Sequence, residues 1–88
     1  MTPAQIKLAR FALGLDGQRR QSYRNEFVAG SGHYDYEDWL AMVASGNATR
    51  LDGKRLPFGG DDLFHLTYAG AKLALRPGEH LDPEDFPS

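Results

Sequence analysis

Eighty-eight residues with a formal net charge of −2 are enough for one small domain and not for two. The composition, 41% hydrophobic and 25% charged, is ordinary for a soluble globular chain, and its core is small enough that a homodimer or a partner could add stability. The absence of cysteine excludes disulfides and thiolate metal sites and fits a reducing cytosol. No apolar run approaches membrane-spanning length and no signal-peptide core opens the chain, so a cytoplasmic protein is expected.

Thr2-Pro3 reads as a helix start, with threonine as N-cap and proline in the first helical position. The helix is expected to run to about Leu13. Ile6, Leu8, Ala9, Phe11, Ala12, Leu13 and Leu15 cover most of its circumference, leaving a narrow stripe of Lys7, Arg10 and Gly14 for water. Gly14 and Asp16-Gly17 stop it. Gln18 to Arg24 is a basic loop with Tyr23 among its arginines. Tyr23 to Ala29 fits a strand or a short helix, and so short a run has no decisive period. Gly30-Ser31-Gly32 is a joint.

A second helix starts at Asp35, whose carboxylate suits the N-cap, with Asp38 three residues on in capping-box position. Tyr36, Trp39, Leu40 and Val43 share one apolar face, which argues for a buried Trp39 rather than an exposed anchor. Gly46 and Asn47 end this helix. Ala48 to Leu51 is β-compatible and Asp52-Gly53 is a turn signal, with glycine supplying a positive φ. The return strand has two readings. Lys54 to Phe58 could pair directly, or Asp52 to Asp62 could form one long loop before a strand at Leu63 to Leu66. Pro57 and Gly59-Gly60 favour the long loop. In the strand, Phe64 and Leu66 face one way and His65 the other. Thr67 is the N-cap of a closing helix in which Tyr68, Ala71 and Leu75 share a face. Gly70 inside that helix costs about 1 kcal/mol relative to alanine, so its presence suggests close approach of another backbone. Pro77-Gly78 ends the helix. The globular domain is therefore expected to span residues 1–78. Residues 79–88 (EHLDPEDFPS) form an acidic segment expected to be extended or disordered.

The run MVASGNATR, the loop after it and DLFHLTYAGAKLAL resemble the second half of winged helix-turn-helix domains. There a helix ends near a glycine, a two-stranded wing follows and an LT-x-x-G segment opens the last helix. The likeness covers about half the chain and rests on a short motif. It implies an α+β fold of winged-helix-like order, with about three helices around a short antiparallel hairpin. SYRNEFVAG, DYEDWLAMV and GGDDLFHLT make the whole chain resemble, more loosely, small orphan proteins of tailed phages and prophages. That family carries no assigned chemistry. The opening TPAQIKLARFALGL is similar to the first helix of phage-repressor-type domains, but DGQRRQSYRN follows where a second helix would stand.

Charge is segregated along the chain. Residues 1–24 hold five bases against one acid, and residues 25–47 hold four acids and no base. Arg50, Lys54 and Arg55 surround Asp52 in the wing. A winged helix puts its recognition helix into the major groove, but here that helix starts with Asp35, Glu37 and Asp38 and carries no Lys or Arg. Phosphates would repel it. Binding of double-stranded DNA would fall to Arg19, Arg20, Arg24, Arg50, Lys54 and Arg55 as phosphate contacts, and these residues equally fit solvated loop charges. The preferred reading is a protein partner with a basic surface, met by Asp35, Glu37 and Asp38. The resemblance to phage accessory proteins implies the same. No enzyme, cofactor or metal is expected. His33 with Asp35 makes two ligands at most, His65 and His80 stand alone, and Ser22, Ser31 and Ser45 lack a base. Asp61 and Asp62 point to opposite sides of an extended chain.

Overall fold

The computed structural model describes residues 1–15, 18–55 and 60–86. The expected helix stop at Asp16-Gly17 and the proposed roles of Pro57, Phe58 and Gly59 lie outside the described residues. In chain order the elements are α1 (Pro3–Leu13), β1 (Phe27–Ala29), α2 (Tyr36–Ala44), β2 (Ala48–Leu51), a 3₁₀ turn (Gly53–Arg55), β3 (Asp62–Leu66) and α3 (Tyr68–Leu73). The strands form one antiparallel sheet in the order β1-β3-β2. The molecule is thus a small α+β domain whose second half has the winged-helix-like order of helix, hairpin and helix.

Local signals place these elements. The Thr2 hydroxyl accepts from the Gln5 amide while the Gln5 side chain accepts from the Thr2 amide, a capping box. Thr67 caps α3 by accepting from the Gly70 amide. Gly70 is required where it stands, because an added Cβ would fall on the carbonyl oxygen of Asn47. That backbone also receives the Thr67 amide at 3.1 Å. Gly53 is required for the same reason, with the Asp61 carbonyl in the way. Its φ is not positive, contrary to the turn expected from sequence. The turn is made instead by the Asp52 carboxylate, which accepts from the Lys54 amide at 3.0 Å.

Gly53–Arg55 forms a 3₁₀ turn rather than a strand, and β3 starts one residue earlier than expected, at Asp62. The sheet also gains β1, a three-residue edge strand, which resolves Tyr23–Ala29 as extended chain in its last part. Asn25 lengthens this edge with its side chain. Its amide nitrogen donates to the Leu66 carbonyl at 3.0 Å, and its oxygen accepts from the Leu66 amide at 2.8 Å.

The three helices and one face of the sheet enclose the core. Trp39 is its centre, fully buried, with Phe27 at 5.1 Å on one side and Phe64 stacked at 5.4 Å on the other. Phe64, Leu66 and Ala48 project from the sheet, and Ala9, Ala12, Leu13, Met42 and Ala71 from the helices. Its indole N–H has no acceptor among the described residues.

Two expectations for α1 and the C-terminal segment are corrected. Arg10, assigned to the watery stripe, is buried, and Phe11, assigned to the core, is 62% exposed. The reason is residue 79. Glu79 accepts both terminal nitrogens of Arg10, at 2.5 and 2.7 Å, and Arg10 also donates to the Ala74 carbonyl. This pair turns the Arg10 side of the helix inward. The segment after Gly78 is neither free nor extended throughout: it turns at residues 83–85, where the Asp85 and Phe86 amides donate to the Asp82 carbonyl. His80 bridges Gln21 as a parallel partner, the Asp82 amide donates to the buried Ser22 hydroxyl at 2.8 Å, and Phe86 is buried beside Tyr68. Within the described residues the packed domain therefore continues to Phe86.

Candidate functional site

The rotation of α1 leaves Ala4, Lys7, Leu8 and Phe11, one helical face at i, i+3, i+4 and i+7, turned toward the start of α2. Between them lies an open groove of about 520 Å³, completed by Phe27, His33, Tyr34, Asp35 and Asp38. Phe11 rests edge-on against Phe27 at 5.9 Å. Tyr34 is 87% exposed, and its ring is stacked on His33 at 4.9 Å. Lys7 stands on the α1 wall, and Asp35 and Asp38 stand on the α2 wall.

The three acids of α2 have different environments. Asp35 is only 8% exposed. It occupies the N-cap position, but its carboxylate caps no amide. Its amide donates to His33 Nδ1 at 3.1 Å, and its carboxylate lies 3.6 Å from that nitrogen. Asp38 makes no capping-box bond and is half-buried, whereas Glu37 is exposed. Neither Glu37 nor Asp38 has an ion-pair partner among the described residues. Local capping therefore accounts for none of the three carboxylates.

The basic residues are more committed. Arg50 donates through Nε to Asp62 at 2.6 Å. Asp62 also accepts from the Tyr36 hydroxyl at 2.5 Å and from the Gly53 amide at 2.8 Å. Those bonds, the Tyr36 hydroxyl first, hold the Asp62 carboxyl at about 2, below the ordinary carboxylate range, and the same bond raises the Tyr36 phenol. The cluster ties the hairpin loop to α2. It was missed from sequence, although the alternation that puts Phe64 and Leu66 in the core also puts Asp62 there, where a carboxylate must find partners. Arg24 donates to the Phe11 carbonyl at 2.7 Å, closing the end of α1, and lies over the Phe11 and Tyr23 rings. Arg19 covers the other aromatic surface of this stack, 4.2 Å from the Tyr23 ring centre. Arg20, Lys54 and Arg55 are exposed. The two basic groups sit apart: Asn25, next to Arg24, pairs with Leu66, and Gly53, next to Lys54, pairs with Asp62. Four residues of extended strand, about 13 Å, separate those anchors.

No helix among the described residues is long and apolar enough to cross a membrane, and no three His, Asp or Glu side chains among them converge to hold a metal ion. Compared with known proteins, the chain matches no protein-family model, no curated protein and no solved structure.

Proposed function

We propose that this chain is a small non-enzymatic accessory protein of the cytoplasm, of the kind tailed phages and prophages encode, that binds a protein partner through a basic surface on that partner. One observation carries the reading. Glu37 and Asp38 have no cationic partner among the described residues, and Asp38 lines one groove with two exposed aromatic rings, Tyr34 and Phe11. Unpaired carboxylates next to exposed aromatics are the usual make-up of a charged, aromatic-anchored interface. Asp35, only 8% exposed, supports the same wall rather than offering a free contact.

Double-stranded DNA is the second reading, favoured by exposed Lys54 and Arg55 at the tip of the hairpin. It is weaker for two physical reasons. The helix that would enter the major groove begins with acids, and several of the arginines are already engaged within the fold. The test is binding of the purified protein to random duplex DNA at two salt concentrations. The protein-partner reading expects no measurable binding even at low salt. Appreciable affinity that falls steeply with salt would overturn it in favour of a DNA-binding regulator.

A further inference from the structure

We propose that the groove between α1 and the first turn of α2 takes a short peptide segment in which a bulky apolar side chain stands next to an arginine or lysine. The inference rests on the protein-binding reading above and gives the partner's contact a definite chemistry. The groove offers two surfaces side by side. Its floor is apolar, built from Leu8, Phe11 and Phe27. Its α2 wall carries Asp35 and Asp38, with Glu37 on the next position. Lys7 is the only base among the lining residues, and residues 25–47 contain none. A cation entering beside the aromatic floor therefore meets Asp38, with Glu37 next to it, carboxylates without ion-pair partners among the described residues.

The aromatic walls are prepared for contact. Tyr34 is stacked on His33, and Phe11 packs edge-on against Phe27, so each ring already has one aromatic neighbour in the free protein. Aromatic side chains are enriched among the residues that carry binding energy in interfaces. Two other exposed aromatic rings among the described residues already carry cations of the fold: Tyr23 under Arg19 and Arg24, and Tyr68 under Lys72. A second copy is a poor occupant. It would bring its own Asp35 and Asp38 with only Lys7 to offset them, so like charge outweighs opposite charge at this face. The chain's own acidic C-terminal segment has the wrong charge, and it is docked elsewhere, on Arg10 and Ser22.

The test is an amide-resolved NMR titration of the full chain with three probes: acetyl-phenylalanyl-arginine amide, acetyl-alanyl-arginine amide and hexa-arginine. The first is expected to shift the amides of Ala4, Leu8, Phe11, Tyr34 and Asp38 saturably. The second should bind about tenfold more weakly, the share of one anchored apolar side chain. Tyr34→Ala, at the most exposed of these positions, should weaken the first probe severalfold and spare hexa-arginine. Equal affinity of the two dipeptides overturns the groove inference. If hexa-arginine still shifts Glu37 and Asp38, the acidic-surface reading survives that failure. No shift with any probe overturns both, and sedimentation showing a dimer that Phe11→Ser dissolves replaces the peptide by a second copy.

Discussion

Replacing Glu79 by glutamine distinguishes a docked C-terminal segment from a free acidic tail. The carboxylate binds both terminal nitrogens of buried Arg10 and accepts from the Arg76 amide at 2.7 Å. Glutamine keeps the shape but leaves the guanidinium with no counter-charge. Breaking a buried pair by removing one partner costs about 3–5 kcal/mol, and side chains one-tenth exposed put this one near the lower end, about 3 kcal/mol. A domain of this size has roughly 4–13 kcal/mol in total, so the melting temperature should fall by roughly 12–24 °C. Acid dependence adds a second signature. The Arg10 guanidinium holds the Glu79 carboxyl down at about 2. The unfolded chain, at about 4.3, therefore takes up its proton first as the pH falls. The stability from this pair is complete above about pH 4.3 and is lost progressively toward pH 2. Glu79→Gln should lack that part of the acid sensitivity and keep the part that Asp62 contributes. The assay is urea denaturation at pH 7 and at steps down to pH 2, followed by the fluorescence of Trp39, the single tryptophan. Glu84→Gln, an exposed acid in the same segment, is the control and should stay within about 0.5 kcal/mol of wild type. If Glu79→Gln behaved like that control, the docking of residues 79–86 would be refuted.

Trp39→Ala should cost about 3–5 kcal/mol and come close to unfolding the domain, whereas Trp39→Phe should cost much less, because it keeps a ring between Phe27 and Phe64 and removes an indole N–H without an acceptor. Thermal melts of the two variants check this, and equal losses would contradict it. Gly70→Ala gains about 1 kcal/mol of helix propensity in isolation, but in the fold its methyl meets the Asn47 carbonyl, so a melt should show net destabilisation. Asp62→Asn should return the Tyr36 phenol toward its ordinary range, so that one tyrosine ionises at lower pH in an ultraviolet titration than in the parent protein.

What could be read in the residues was what local chemistry decides. Thr2-Pro3 and Thr67 carry their caps with them, and Gly70 announced a close backbone because a helix does not otherwise keep a glycine. The period of Tyr36, Trp39 and Val43 placed Trp39 in the core, although Met42, equally buried, fell off that count. The candidate groove was not legible because it depends on the rotation of α1. That rotation is set by Arg10 meeting Glu79, 69 residues away. A charged residue in a stripe of polar neighbours looks solvated until its partner is located. The same holds for Arg50, which was grouped with the free wing cations and is in fact tied to Asp62. Charge reversal at the hairpin is therefore informative at Lys54 and Arg55 but confounded at Arg50. Asp35 shows the converse: a capping residue by position whose carboxylate is turned toward His33 instead of the helix amides.

The most direct measurement is capture of partners from nuclease-treated bacterial lysate by three immobilised forms of the full chain: wild type, Glu37→Lys/Asp38→Lys, and Lys54→Glu/Arg55→Glu. These substitutions lie at residues that make no ion pair among the described residues, so all three forms should fold alike. The account predicts a basic protein retained by wild type and by the hairpin variant and lost from the α2 variant. Retention that survives the change at Glu37 and Asp38 and disappears with Lys54 and Arg55 would contradict it.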